Sequence, residues 1–172
     1  GFEHFKMLCG EGAQLPAAHI PSVLKAMRTG DPYWVKAMLI FGNNTLTTYG
    51  DSKTVYESLM KLDFIVCADL FMTPTAELAD IILPAAFWAE INEVAGLPTI
   101  SGNVIVANQP AVRTHECRSD EEIFSELARR LDLPVGTETP EEVYEAQMAA
   151  GGTGLSFEEL KKVGFHEMEM KY

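Results

Sequence analysis

The chain has 172 residues, enough for one ordinary domain, and its 47% hydrophobic content and mean hydropathy near zero are what a soluble globular core requires. A formal net charge of -12 and a pI near 4.7 argue against a nucleic-acid partner, because affinity for a phosphate backbone comes from Lys and Arg releasing counterions. The apolar runs at 37–41, 64–68 and 81–83 are far too short for a membrane-spanning helix, which takes about 20 residues.

The opening Gly1-Phe2-Glu3-His4-Phe5 has neither an initiator Met nor the basic-then-apolar layout of a secretory leader. The expectation is therefore a piece of a longer protein, with cytoplasm and periplasm equally open. After a loose Gly- and Ala-rich stretch, Ile20, Val23, Leu24 and Met27 recur at helical spacing with Pro21 suited to a first turn, and Thr29-Gly30-Asp31-Pro32 ends that helix. Residues 35–41 are a mostly apolar run that predicts a strand buried on both faces, stopping at the polar Gly42-Asn43-Asn44-Thr45. Asp51 is the predicted cap of a helix reaching about Leu62, with Val55, Leu59 and Leu62 on one face.

Residues 64–68 predict a second strand ending at Asp69, and a short helix at 75–78 leads to a third, Ile81-Ile82-Leu83, stopped by Pro84. Strand, helix, strand, helix, strand at this pitch predicts an α/β fold: an open, mainly parallel sheet with helices on both faces, Rossmann- or flavodoxin-like. Residues 90–102 contain Gly96, Pro98 and Gly102 without a period and predict a long surface loop. Val104-Ile105-Val106 predicts a short strand, and Ser119 or Asp120 caps a helix over 121–131 whose Ile123, Phe124, Leu127 and Leu131 face the core. From Pro134 the chain turns acidic, with short helices expected at 141–149 and 157–163. The expected division is an α/β domain over 1–133 and an acidic helical tail over 134–172 leading toward a further domain. The acidic runs Asp120-Glu121-Glu122 and Glu141-Glu142 read as solvated helix faces.

In an open parallel sheet the ligand crevice lies beyond the carboxyl ends of the strands. Three polar clusters fall at such ends: Gly42-Asn43-Asn44-Thr45, then Ala68-Asp69 with Thr73 and Thr75, then Ser119-Asp120. Glycine lets a ligand approach the backbone, an amide side chain both donates and accepts, and a carboxylate can take two hydrogen bonds from a ribose diol or a guanine edge. These groups suit a nucleotide, and they equally suit the turn and capping chemistry of any α/β domain. There is no Walker loop and no GxGxxG, so ordinary ATP and NAD binding modes find no support. Cys9, Cys67 and Cys117 are widely separated, and His4, His19, His115 and His166 show no paired spacing, so no metal ligand or catalytic residue is assigned. Cys67, inside an apolar strand, reads as a small buried hydrophobe.

Two stretches carry a resemblance. Lys36-Ala37-Met38-Leu39-Ile40-Phe41-Gly42-Asn43-Asn44, followed by the run from Leu62-Asp63-Phe64 through Ala68-Asp69-Leu70-Phe71-Met72-Thr73-Pro74-Thr75-Ala76 to Leu78-Ala79-Asp80-Ile81-Ile82-Leu83-Pro84-Ala85, resembles the molybdopterin oxidoreductase family of the dimethyl-sulfoxide-reductase type. The likeness extends over about residues 20–131. It implies a domain that holds one of two molybdopterin guanine dinucleotides by its nucleotide end, within a molybdenum or tungsten oxidoreductase whose metal lies deeper between domains. The positions it marks as cofactor contacts are Gly42, Asn43, Asn44, Ala68, Asp69, Thr73 and Asp120. It implies as partners the remaining domains of the same polypeptide and an iron–sulfur electron-transfer subunit.

The family's cluster-binding cysteines, metal ligand and carboxyl-terminal cofactor domain have no counterpart here, so the chain is not expected to be catalytic alone. Ile91 stands where a cofactor-contacting lysine is common, and Asn103 where an arginine is usual. Losing two cations weakens the grip on an anionic pyrophosphate. That departure leaves open a second reading, a fold homologue without cofactor that serves a structural or electron-transfer-complex role.

Overall fold

The computed structural model describes residues 18–95, 104–112, 116–134, 136, 138–150 and 153–167. The chain forms two compact units, Gly1–Leu83 and Pro84–Tyr172.

In the first unit, α1 (Ile20–Thr29) carries Pro21 in its first turn and ends at Gly30, which adopts φ 70° and returns its N–H to the Ala26 carbonyl. β1 (Ala37–Phe41) pairs in parallel with β2 (Phe64–Asp69), setting Ile40 opposite Cys67, and β3 (Ile81–Pro84) completes a parallel three-strand sheet ordered β1-β2-β3. Between β1 and β2 lie α2 (Thr45–Thr48) and α3 (Ser52–Leu59), the latter capped by the Asp51 carboxylate, which accepts the Thr54 N–H at 3.2 Å. Leu24, Met27, Ile40, Val55, Leu59, Ile65 and Cys67 share one core, so α1 and α3 cover the same sheet face. Asp80 fastens β2 to the start of β3: its carboxylate accepts the Ile65 N–H at 2.7 Å, while its own N–H donates to the Ile65 carbonyl at 2.9 Å.

Four expectations for this unit are corrected. Taken by itself, the unit has its helices on one face of the sheet rather than on both. β1 is therefore not buried on both faces: β2, in the centre, is buried from Ile65 through Ala68, but β1 is an edge strand and leaves Leu39 45% exposed. The loop after β1 winds into α2, and α3 stops at Leu59, because the N–H groups of Lys61 and Leu62 turn back to the carbonyls of Ser58 and Leu59.

The second unit is built differently. β4 (Glu93–Ala95), β5 (Val104–Asn108) and β6 (Phe165–Glu167) form an antiparallel sheet with β5 in the middle. With them stand α4 (Asp120–Arg130), α5 (Pro140–Ala150) and α6 (Phe157–Val163). Ile105, Ala107, Tyr144, Met148, Phe157 and Leu160 form the core, so the two helices of the acidic stretch pack on β5. β4 lies where the sequence predicts loop, and β6 lies where it predicts only helical tail. Three-residue strands carry no readable period, and their stability comes from a distant partner. The predicted loop residues Gly96, Pro98 and Gly102 lie outside the described residues. The architecture is thus α/β in the broad sense, one parallel sheet and one antiparallel sheet, in place of a single mainly parallel one.

In α4 the buried positions are Ser125 and Ala128, whereas Phe124, Leu127 and Leu131 are exposed, reversing the predicted core face. The small residues allow close approach, and the Ser125 hydroxyl donates to the Glu138 carbonyl at 2.6 Å.

Candidate functional site

At the carboxyl end of β1 the chain turns at Gly42, whose φ of 56° favours glycine and whose missing side chain would have met only open space. The Asn43 amide donates to the Thr45 hydroxyl at 3.0 Å and to the Tyr49 hydroxyl at 3.5 Å. Asn44 occupies the cap position of α2, its backbone carbonyl accepting the N–H groups of Thr47 and Thr48. Its side-chain Oδ1 accepts the Thr75 hydroxyl at 2.7 Å, and that hydroxyl in turn accepts the Leu46 N–H at 2.9 Å. Thr75 is fully buried. One threonine thus buckles the loop after β1 to the loop after β2.

At the end of β2, Asp69 folds the chain around its own carboxylate. Oδ1 accepts the N–H groups of Leu70 and Phe71 at 2.7 and 3.4 Å, and Oδ2 accepts the Thr73 hydroxyl at 3.1 Å. Thr73 Oγ1 accepts the Ala76 N–H at 3.2 Å and so starts the short helical turn at 76–78. Ala68 is buried and offers only backbone. Asn44, Asp69 and Thr73 are therefore ordered by internal hydrogen bonds, with lone pairs and loop backbone left to meet a ligand. Neither 42–51 nor 68–78 contains Lys or Arg. This donor set fits sugar hydroxyls and a base edge; it offers no cation for a pyrophosphate.

Asp120 belongs to the second unit. The cap of α4 is Ser119: its hydroxyl accepts the Glu122 N–H at 3.2 Å, and the Glu122 carboxylate accepts the Ser119 N–H at 2.9 Å. Asp120 is the first helical residue, exposed overall, with a carboxyl whose pKa is raised first by burial and then by Glu121. Just before it, Arg118 pairs in parallel with Ala85, its N–H reaching the Pro84 carbonyl and its carbonyl accepting the Ala86 N–H. Ser119-Asp120 accordingly sits where a strand-like segment ends and a helix begins.

Beside this helix start lies a pocket of about 310 Å³, lined among others by Glu90, Ile91, Cys117, Ser119, Glu122 and Glu141. Its Ile91-Asn92 wall is clamped from behind: the Asn108 amide donates to the carbonyls of Trp88 and Ile91, and the Tyr144 hydroxyl donates to the Asn92 carbonyl at 3.0 Å. Burial, then nearby carboxylates led by Glu121 and Glu93, hold the Tyr144 phenol far above its ordinary pKa, keeping it a donor. The residue in the lysine position is thus an apolar side chain on the rim of an acidic pocket. Asn103 lies outside the described residues. Burial, then the Asp69 charge, raises the Cys67 thiol, as suits an inert packing residue. Among the described residues, no group of three potential ligands is placed to hold a metal ion, and no helix is long and apolar enough to cross a membrane.

Thr75 and Asn108 carry weight that strand-end reasoning misses. Thr75 sits among the polar residues of its loop, but nothing local marks it as the link to residue 44. Asn108 shows no signal at all, because its two acceptors lie 17 and 20 residues away.

An α/β fold that presents amides and carboxylates at the carboxyl ends of its strands has the architecture in which ligand crevices form. Residues 1–130 match the family model for molybdopterin oxidoreductase, and the chain belongs to that family. It is 32% identical over 149 residues to acetylene hydratase of Syntrophotalea acetylenica, covering 84% of this chain and 20% of that protein. It is 36% identical over 114 residues to dopamine dehydroxylase of Eggerthella lenta (64% of this chain, 11% of the relative), and 28% identical over 134 residues to formate dehydrogenase H of Escherichia coli (76% and 18%). The solved structure of acetylene hydratase from Pelobacter acetylenicus superimposes with a TM-score of 0.77 at 30% identity, covering 89% of this chain and 21% of that one. The chain therefore spans about a fifth or less of the length of these relatives. The family implies a molybdopterin-type cofactor carrying molybdenum or tungsten.

Proposed function

We propose that this chain is the cofactor-holding part of a larger molybdenum or tungsten oxidoreductase, gripping the nucleotide end of a molybdopterin guanine dinucleotide and not catalytic by itself. The observation that carries this reading is the buckle between the two strand-end loops, in which Thr75 joins Asn44 on the carboxyl-end side of the strands, the side on which a parallel sheet receives a ligand. Gly42 opens the backbone to close approach, Asn43 and Asn44 supply amides, and Ala68 supplies backbone. Asp69, steadied by Thr73, receives the hydroxyl or N–H donors of the ligand, and Asp120, in the second unit, is proposed as a further carboxylate contact to the cofactor.

When bound, the metal with its dithiolene supplies two-electron redox or oxygen-atom transfer. This chain's residues orient the far end. In the longer protein we read residues 1–133 as the nucleotide-binding portion, close to the matched range of 1–130, with the rest of the chain leading toward a further domain. There the parallel sheet is the start of a Rossmann-like layer whose second face other elements cover. The remaining domains and an iron–sulfur subunit are its proposed partners.

Ile91 on the rim of an acidic pocket favours a second reading, a homologue that keeps the fold for assembly without holding the dinucleotide. Metal analysis and acid release of guanine nucleotide from the full-length protein separate the two. The leading reading expects molybdenum or tungsten together with guanine nucleotide, and expects reduced content in Asp69→Ala and Asp120→Ala. Absence of both metals and of nucleotide would refute it, and full occupancy in the two variants would refute those assignments.

A further inference from the structure

The segment after Asp69 is unusual for a surface loop. Leu70, Phe71 and Met72 are 45, 75 and 61% exposed, three consecutive apolar side chains in water. The loop is nonetheless held. The Phe71 N–H donates to Asp69 Oδ1 at 3.4 Å, and the Phe71 carbonyl accepts the Thr73 N–H at 2.8 Å. Both backbone groups of Phe71 are thus satisfied, so the loop backbone that carries the ring is already positioned and only the side-chain rotamers remain to be fixed on binding.

Position in the unit singles out this ring. Tyr33 and Trp34 precede β1, Phe64 opens β2, and Tyr56 lies on α3, all away from the carboxyl ends of the strands. Phe41 and Tyr49 are half-buried, and Tyr49 accepts the Asn43 amide. Among the described residues of this unit, Phe71 is the well-exposed ring on the side where the polar loops gather. A ring two residues from a carboxylate provides both halves of base recognition, a π face for stacking and acceptors for N–H or hydroxyl donors.

We infer that Phe71 is the stacking platform for the purine base of the nucleotide, an assignment that rests on the nucleotide-holding reading above. Stacking would supply affinity, while carboxylates and amides supply selectivity. It also explains how a crevice without a cation can retain a nucleotide.

Ligand-observed NMR on the 172-residue chain tests this, using guanosine 5′-diphosphate and inorganic pyrophosphate as probes. The expected result is saturation transfer and an upfield ring-current shift at the guanine H8, with affinity for guanosine diphosphate falling about 5-fold or more in Phe71→Ala, the lower end of a base–aromatic stack. Pyrophosphate affinity should stay unchanged, Phe71→Trp should restore binding, and Phe71→Leu, which keeps the apolar bulk without a π face, should not. Equal guanosine-diphosphate affinity in the wild type, Phe71→Ala and Phe71→Leu overturns the inference and leaves nucleotide holding intact. Loss of all guanosine-diphosphate binding in the wild type overturns both.

Discussion

The two units solve the same problem with different means. The first is held by a continuous apolar core in which neighbours in sequence are neighbours in space: β1 meets β2 through the helices between them, and α1 and α3 close one face. The second relies on distant side chains reaching backbone. Asn108 holds 88 and 91, Tyr144 holds 92, the Gln109 amide donates to the Lys161 carbonyl at 2.9 Å, and the Glu145 carboxylate accepts the Phe157 N–H at 2.9 Å. The contrast shows where a candidate site draws its rigidity. Asp69 is ordered within its own loop and Asn44 by a bond to the neighbouring loop, whereas the pocket beside Ser119 has its wall held by Asn108 and Tyr144.

The largest test of this contrast is Phe157→Ala. The ring is 1% exposed, lies 5.1 Å from the Tyr144 ring and carries the Lys161 ammonium 4.8 Å from its centroid, so truncation should cost about 3–5 kcal/mol. Hydrogen exchange followed by mass spectrometry should show protection lost over 104–108, 140–150 and 157–163 but kept over 37–41 and 64–69. Equal loss in both regions would mean that the units unfold as one.

Asp80→Ala probes the reverse direction. It leaves the Ile65 N–H without its carboxylate, and a hydrogen bond to a charged group is worth about 1.5–3 kcal/mol. Denaturant unfolding should report that loss, with exchange rising first in β2 and β3. A variant as stable as wild type would remove Asp80 from the account of the first unit.

The smallest effect is a difference of sign with pH. Asp51, Glu126, Glu142 and Glu159 are held below the ordinary carboxylate range, chiefly by hydrogen bonds from Thr54, Arg130, Thr139 and Ser156 respectively. Their contribution is present above the usual carboxylate values and is lost as pH falls through the depressed ones. Asp120 runs the other way. With its pKa raised, its contribution exists at low pH and disappears as pH rises through the raised value. Asp120→Asn should therefore gain stability relative to wild type at neutral pH, with the gain shrinking in acid. Thermal melts across that range check it, and a variant destabilised equally at every pH would show Asp120 to be structural.

The strand ends were legible because an apolar run that stops at Gly-Asn-Asn or at Asp marks a strand's carboxyl end whatever surrounds it. Gly42, Asn44 and Asp69 all stand at such positions. The helix start near 119 was legible too, but the choice between Ser119 and Asp120 was not. Both residues can cap, and only the reciprocal bond with Glu122 decides for Ser119.

By itself, then, the sequence determined the βαβ order of the first unit, the break of α1 at Gly30, the Asp51 cap of α3, and the family through the linked stretch 62–85. These follow from local steric and hydrophobic patterning, which neighbours along the chain settle among themselves. Tertiary structure alone decided the antiparallel sheet that brings Val104–Val106 to Phe165–Glu167, the inward turn of Ser125 and Ala128 in place of Phe124 and Leu127, and the Thr75 bond that joins the two loops of the candidate site. Each depends on a partner at least 13 residues away, and the free energy of such a contact is set by closing the chain around it, which no local pattern records.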